Sequence, residues 1–293
     1  MEVKTNATLV HDIEQTILGR NGWDKSIGEF MSNNIADMAE QRFAKPQEPR
    51  AYLSLSSLGT PCERKLWYKV NKSLESEPLG PDTLFKFFYG DMIEELVLAI
   101  AAVSGHSVTG AQDRMDVHGI KGHRDAVING MTIDVKSASP YAFKKFKDGN
   151  LRKDDPFGYI SQLSSYVYAA VDDPLVTDKT HGGFLVVCKV SGAVCLDVYD
   201  FSGEFDEKEN TVKHLKAMAK SDEPPDRAFE PVPQSKTSNN GNMKLSSTCG
   251  YCDFKKVCYP KLRKFVYSDK PLYLTTVNKL PNVAEDLEYR GEI

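Results

Sequence analysis

One short segment, residues 122–139, constrains the fold more than any other part of this 293-residue chain. It reads GHRDAVINGMTIDVKSAS, with apolar alternating residues on both sides of Asn129-Gly130. Asn-Gly between such residues is the strongest short-range signal of a β-hairpin with a two-residue turn. Counting outward from that turn places Asp125 opposite Asp134. The sequence therefore predicts a hairpin in which two carboxylates face each other across the strands.

The opposed acids indicate a metal site. Side chains directly opposite each other in a hairpin have Cβ atoms about 5 Å apart, and like charges there are destabilising. A divalent cation bound by both carboxylates offsets this repulsion most simply, and a few oxygen ligands suit Mg²⁺ or Mn²⁺. Strand alternation sends Lys136 to the same face as Asp134, where an ammonium group can orient a water molecule and stabilise charge on a phosphate. An Asp–Lys ion pair on a surface hairpin is the structural alternative.

Composition and charge exclude several classes of protein. The chain is 41% hydrophobic and 27% charged, as in ordinary globular proteins. It has no run of about 18 apolar residues, and its charged N-terminus lacks the apolar core of a secretory signal. We therefore expect a cytoplasmic protein without a membrane partner. The net charge of −4 argues against a chain coated by nucleic acid, but it does not describe a local basic cleft.

Helical and strand patterns alternate along the chain and predict an α/β fold with a mixed central sheet flanked by helices. Apolar residues from Thr83 to Val103, including Phe85 and Leu96, recur at helical spacing and predict a long, mostly buried helix. We divide the chain into an N-terminal helical segment (1–80), a core (81–220) and a C-terminal segment with a tail (221–293), which together form one composite domain.

The order of the motifs resembles the PD-(D/E)XK nuclease superfamily, and most closely its RecB-like exonuclease branch. That branch has a glycine-containing helix before the hairpin and a Gln-x-x-x-Tyr helix after it. Here FYGDMIEELVLAI supplies Gly90 and GYISQLSSYVYAA supplies Gln162 and Tyr166, whose spacing places them on one helix face. Many relatives have a metal-binding His four residues after the glycine. This chain has Glu94 there with Glu95 beside it, and the sequence does not decide which glutamate faces the site.

The resemblance implies a restriction-endonuclease-like core with defined roles for several residues. The implied catalytic residues are Asp125, Asp134, Lys136, Gln162 and Tyr166. The implied metal ligands are Glu94, Asp125, Asp134 and the carbonyl of Val135.

The cysteines indicate a second metal centre. TCGYCDFKKVCYP contains Cys249, Cys252 and Cys258, one thiolate short of the usual four, and Cys62 is the fourth candidate. One cysteine before the core and three after it resembles the iron–sulfur exonucleases of the same branch, such as the CRISPR-associated and phage-encoded exonucleases. The resemblance implies a 4Fe–4S cluster that joins the two ends of the chain. Structural Zn²⁺ is the alternative, because it also accepts four thiolates.

The resemblance implies a metal-dependent DNA exonuclease that acts on single-stranded ends in phage or prokaryotic replication, recombination or DNA degradation, with a helicase or recombination protein as a partner. In a phage-encoded member, the site of action is the host cytoplasm. A restriction-like or structure-specific endonuclease is one alternative, and a non-catalytic DNA-binding or helicase-partner module is the other. A basic segment follows the hairpin, and solvated loop charges are the alternative to phosphate contacts there. The residues assigned to phosphate contacts are Arg64, Lys144, Lys145, Lys147, Arg152 and Lys153.

Overall fold

The computed structural model describes residues 4–46, 48–235 and 240–289. The helices are α1 (Leu9–Ile17), α2 (Lys25–Phe43), α3 (Glu63–Asn71), α4 (Pro81–Val103), α5 (Pro140–Lys147), α6 (Tyr159–Ala169), α7 (Phe205–Met218), α8 (Ser247–Gly250) and α9 (Lys255–Cys258). The strands are β1 (Val108–Thr109), β2 (Arg114–Val117), β3 (Ile120–His123), β4 (Ala126–Ile128), β5 (Met131–Ala138), β6 (His181–Cys188), β7 (Val194–Asp200), β8 (Val232–Pro233), β9 (Met243–Lys244), β10 (Arg263–Phe265), β11 (Leu272–Thr276) and β12 (Glu285–Asp286). None of the helices in these ranges is long and apolar enough to cross a membrane.

The chain divides into two compact units. The first contains the described residues of Met1–Glu48, Leu53–Gly59 and Gly80–Lys216. The second contains those of Pro49–Tyr52, Thr60–Leu79 and Ala217–Ile293. Residues up to 48 therefore belong with the unit that contains the hairpin, whereas the sequence-based division assigns them to a separate segment ending at residue 80.

The first unit contains a five-stranded sheet in the order β1-β4-β5-β6-β7. Strands β5 and β6 are parallel, and the other neighbouring pairs are antiparallel. Strands β2 and β3 form a separate hairpin that the sequence patterns do not reveal. The prediction of an α/β fold with a mixed sheet flanked by helices is confirmed.

The β4–β5 hairpin has the predicted register. Ile128 pairs with Met131, and Ala126 pairs with Ile133. Asn129 has φ 48° and Gly130 has φ 79°, so both residues are left-handed, as a type I′ turn requires. A Cβ atom on Gly130 would lie 2.0 Å from Thr177 Oγ1, which adds a steric reason for glycine at this position.

Helices cover both faces of this sheet. Buried residues of α1 and α4 pack with Ile133 and Val135 on one face. Buried residues of α5 and α6 pack with Ala138 on the other face. Because side chains alternate along a strand, Asp134 and Lys136 point to the same face as Ala138. The side chains of Asp134 and Lys136 therefore lie on the face of the sheet that α6 covers.

Helix α4 confirms the predicted helix but is less buried than expected. Phe85 is 63% exposed and Leu96 is 45% exposed, whereas the buried residues Val97, Leu98, Ala99 and Ala101 lie in its C-terminal part. This part packs on the sheet, and the sheet also lies close to Gly90, where a Cβ atom would be 3.6 Å from Ser137 Oγ. The preceding turns lie beside α2, where the Phe43 and Phe88 rings are 5.0 Å apart. Helical periodicity shows which residues share a face of α4, but it does not show how much of that face other elements cover.

The second unit has its own five-stranded antiparallel sheet, in the order β12-β10-β11-β9-β8. Helix α3 contributes Trp67, whose Nε1 donates to the Ser221 carbonyl at 2.9 Å. It also contributes Tyr68, whose ring centroid lies 5.7 Å from that of Phe254. Both α3 aromatic side chains are buried. They therefore serve as core residues of this unit.

Candidate active site

The two hairpin acids converge on β5. Asp125 directly precedes β4, and its Oδ2 accepts a hydrogen bond from the Val135 backbone N–H at 2.7 Å. Asp134 lies in β5 and is 2% exposed. Its buried Oδ2 forms an ion pair with the Lys136 ammonium, whose charge and hydrogen bond favour the ionised carboxylate. This buried oxygen thus depends on the positive charge of Lys136 for its stabilisation.

Arg124 fixes the chain just before Asp125. Its side chain is 1% exposed, and its guanidinium donates to the Gly110 carbonyl at 3.0 Å. It also pairs with Asp113 at 2.7 Å and with Asp173 at 2.5 Å. A buried arginine requires such partners, but the sequence does not reveal them because they come from two separate segments, the loop with Gly110 and Asp113 and the one with Asp173.

Burial and mutual repulsion raise the pKa values of three acids. Burial, followed by the charge of Asp134, raises the pKa of Asp125 to about 7. Burial and the charge of Asp125 raise the pKa of Glu94 to about 9, although a hydrogen bond from Gln112 opposes this. Burial also raises the pKa of Asp134, against the influence of Lys136. The three carboxyl groups therefore cannot all be ionised at neutral pH without an additional cation.

The structure distinguishes the two glutamates of α4. Glu94 Oε1 accepts a hydrogen bond from Gln112 Nε2 at 2.6 Å, and this carboxyl is close enough to Asp125 for the two charges to interact. Glu95 Oε2 instead accepts from Asn34 Nδ2 of α2 at 3.1 Å. Glu94 is thus the glutamate on the side of the acids. Gln112 is a contributor that the sequence analysis missed, because it lies in a loop and belongs to no motif.

Lys136 lies between the acids and an aromatic ring. Its Nζ is 5.2 Å from the centroid of the Tyr159 ring, and the side chain is 19% exposed. Burial would lower the pKa of Lys136, but Asp134 and Asp125 more than compensate and raise it above its ordinary value. The lysine is therefore a permanent cation at neutral pH. Tyr159 is a second contributor that sequence reasoning missed, although it lies only three residues before Gln162.

Helix α6 directs the predicted Gln-x-x-x-Tyr pair toward the acids. Tyr166 is 4% exposed, whereas Gln162 is half-buried. Burial raises the pKa of Tyr166, the charges of Asp134 and Asp125 raise it further, and a hydrogen bond with Gln162 partly offsets them. The tyrosine is therefore a neutral hydroxyl within range of the carboxylates. Its position is consistent with the role that the resemblance assigns to it.

The predicted phosphate-binding residues are distributed over both units, and most have partners. In the first unit, Arg152 Nη1 pairs with Glu204 at 2.8 Å. Nearby, Lys144 pairs with Asp148, Lys145 pairs with Asp154, Lys153 Nζ donates to Asn150 Oδ1 at 2.9 Å, and Lys147 is exposed. In the second unit, Arg64 Nη1 donates to the Pro225 carbonyl at 2.8 Å. Intramolecular ion pairs thus account for much of the basic segment.

All four cysteines of the predicted cluster belong to the second unit. Their thiols are free. Burial raises the pKa of Cys252 to about 11, and the charge of Cys62 contributes to this shift. Burial also raises the pKa of Cys249, with contributions from Cys62 and Cys258. Cys62 thus influences the pKa values of both Cys249 and Cys252, and Cys258 influences that of Cys249.

Within residues 4–46, 48–235 and 240–289, no group of three or more His, Cys, Asp or Glu side chains is arranged to hold a metal ion. The fold alone thus shows neither the predicted four-cysteine cluster nor the predicted Mg²⁺ or Mn²⁺ site. The donor chemistry nevertheless fits each metal. The acids offer hard carboxylate oxygens that repel one another, and the cysteines offer soft thiols.

Comparisons with known proteins do not assign the chain to a family. No protein-family model matches the chain, and no curated protein matches it. Among solved structures, the chain is similar to SSO0001, with 14% sequence identity and a TM-score of 0.39. The similarity covers 79% of this chain and 96% of that one.

Proposed function

We propose that this protein is a metal-dependent deoxyribonuclease with a restriction-endonuclease-like core, and that it degrades single-stranded DNA from an end. The observation that supports this most strongly is the buried hairpin constellation. Asp125 and Asp134 repel each other beside Lys136, and Glu94 adds a third carboxyl. A protein gains nothing in stability from burying mutually repelling acids. Their arrangement is explained by a cation that binds them in the working enzyme.

Each residue then has a chemical role. Glu94, Asp125, Asp134 and the Val135 carbonyl would hold Mg²⁺ or Mn²⁺. When bound, this ion would polarise the phosphate and stabilise the leaving oxygen. Lys136 orients the attacking water, whose oxygen forms a new bond to phosphorus as the bond to the leaving oxygen breaks. The water gives up a proton to solvent, and the leaving oxygen takes up a proton from solvent. Gln162 and Tyr166 hold the DNA backbone. Phage or prokaryotic DNA metabolism, with a helicase or recombination partner, is part of the same proposal.

Digestion of end-labelled single strands tests this function. Cleavage is expected with Mn²⁺ or Mg²⁺ and should stop when EDTA is added. A circular single strand should remain intact, because an exonuclease needs an end. Cleavage of the circle would favour the endonuclease alternative. Binding without cleavage under every metal condition would favour the non-catalytic module.

We also propose that Cys62, Cys249, Cys252 and Cys258 hold a 4Fe–4S cluster, with Zn²⁺ as the alternative. Their location in one unit and their mutual electrostatic influence support a shared metal centre. Protein purified without oxygen should be brown and should contain iron and acid-labile sulfide. Cys62→Ser should lose this metal, whereas Cys188→Ala, which changes a cysteine of β6, should keep it. Colourless wild-type protein with bound zinc would instead identify the alternative metal.

A further inference from the structure

An exposed aromatic ring lies beside the candidate catalytic lysine. The Phe157 ring centroid is 5.6 Å from that of Tyr159, and the two planes are tilted by 32°. The Tyr159 ring in turn lies 5.2 Å from Lys136 Nζ. Phe157 itself is 59% exposed. A single exposed phenylalanine needs no explanation on a protein surface, but this one ends a continuous series of contacts that begins at the lysine.

The turn that carries Phe157 is held rigidly. Gly158 is left-handed with φ 74°, and a Cβ atom there would lie 1.7 Å from the Gly59 carbonyl oxygen. On the other side, Asp155 Oδ2 accepts a hydrogen bond from the Ile160 N–H at 2.8 Å. The Asp155 carbonyl also accepts from the Gly158 N–H at 3.3 Å. The backbone that carries the ring is therefore constrained, which reduces the entropy lost when a ligand stacks on Phe157.

The surroundings suit a single strand of nucleic acid. Residues 144–155, which lead into the turn, carry five basic and three acidic side chains. Lys147 is exposed and Lys153 contacts the neutral Asn150 side chain, so both can attract backbone phosphates, and unpaired bases stack on exposed aromatic rings. In a duplex, each base already stacks on its neighbours, so an isolated protein ring has no base face to contact. An exposed ring near the reacting phosphate would thus favour unpaired DNA.

We infer that Phe157 is a stacking platform for an unpaired base of single-stranded DNA next to the phosphate at Lys136, with Tyr159 as the positioning residue between them. This inference rests on the proposed nuclease function. It adds a residue that selects single strands over duplexes and defines where the strand passes. Phe157 belongs to neither the acidic motif nor the Gln-x-x-x-Tyr motif.

Binding measurements without cleavage test the platform. A fluorescein-labelled deoxythymidine homopolymer is titrated with protein in Ca²⁺, and anisotropy gives the dissociation constant. Phe157→Ala should weaken binding by about 5-fold to about 100-fold, the range for loss of one stacked base. Phe157→Trp should keep binding. The matched control is Phe30→Ala, which removes a ring that is 64% exposed on α2, and it should bind like the wild type.

A fully abasic strand separates stacking from charge. Wild-type protein should bind this strand more weakly than the homopolymer, and Phe157→Ala should cause no further loss. Equal binding of the homopolymer by wild type and Phe157→Ala would overturn the platform while leaving the nuclease proposal intact. An equal loss in Phe30→Ala, or on the abasic strand, would also overturn it. If the wild type binds no single-stranded DNA at all, the proposed function fails together with the platform.

Discussion

Replacing Lys136 by alanine is expected to slow DNA cleavage by about 10²-fold to 10³-fold, the range for loss of a group that stabilises charge developing in the transition state. The lysine contacts Asp134, and its pKa lies above the ordinary value because two acids favour its charge. It can therefore stabilise negative charge that develops on the phosphate, but it is a poor proton acceptor at neutral pH. The expected defect is a lower kcat in steady-state assays with end-labelled single strands.

The control for this substitution must remove a lysine of similar burial without touching the acids. Lys179 is half-buried, and its Nζ donates to the Asp173 carbonyl at 2.6 Å, so Lys179→Ala should keep full activity. Lys136→Ala should still bind Mn²⁺, since none of the proposed ligand oxygens has changed. Cleavage at the wild-type rate by a folded Lys136→Ala protein would show that this lysine takes no part in the chemistry.

The hairpin could be predicted from the sequence because its determinants are local. Asn129 and Gly130 fix the turn, and the turn fixes the register. Alternation along β5 then determines that Asp134 and Lys136 share a face. No distant segment is needed for any of these steps, so the shared face of Asp134 and Lys136 follows from residues 122–139 alone. The paired residues of the hairpin end at Ala126 and Ile133, so Asp125 lies just outside the ladder.

Other parts of the site depend on packing between distant segments. The choice between Glu94 and Glu95 is made by Asn34 and Gln112, which lie 61 and 18 residues away from their respective partners. Likewise, a basic run in a sequence does not show that Arg152 pairs with Glu204, 52 residues further along the chain. Sequence patterns thus predict which acidic and basic side chains form the site, whereas long-range contacts decide which of them are free to bind a ligand.

Asp125→Asn is expected to stabilise the metal-free protein at alkaline pH while abolishing metal-dependent cleavage. In the folded protein the pKa of Asp125 is raised from 3.8 to about 7, first by burial and then by Asp134. Between these values the unfolded chain releases a proton that the folded protein retains, so the wild type loses stability as pH rises through this window. Asparagine has no proton to lose, and its Oδ1 can still accept the hydrogen bond from the Val135 N–H.

The free energy of unfolding of Asp125→Asn should equal that of the wild type near pH 4 and exceed it by about 1–3 kcal/mol at pH 8. This range is smaller than the full pKa shift of Asp125 would give, because the group interacts with other acids. Urea denaturation in EDTA at several pH values measures it. Asp172→Asn, which changes an exposed acid after α6, should show no such trend.

With Mn²⁺ present, the wild type should become more stable than Asp125→Asn. The wild type should gain about 4.1 kcal/mol at a Mn²⁺ concentration 1,000 times the dissociation constant, because the ion replaces repulsion by attraction. Asp125→Asn, with one charged ligand fewer, should gain little at the same concentration. If this variant is less stable than the wild type at pH 8 without metal, the acids do not repel each other as the structure indicates. These two results together would show that Asp125 destabilises the metal-free fold and is required for the response to metal. The Asp125 carboxylate would then serve the chemistry of the site rather than the fold.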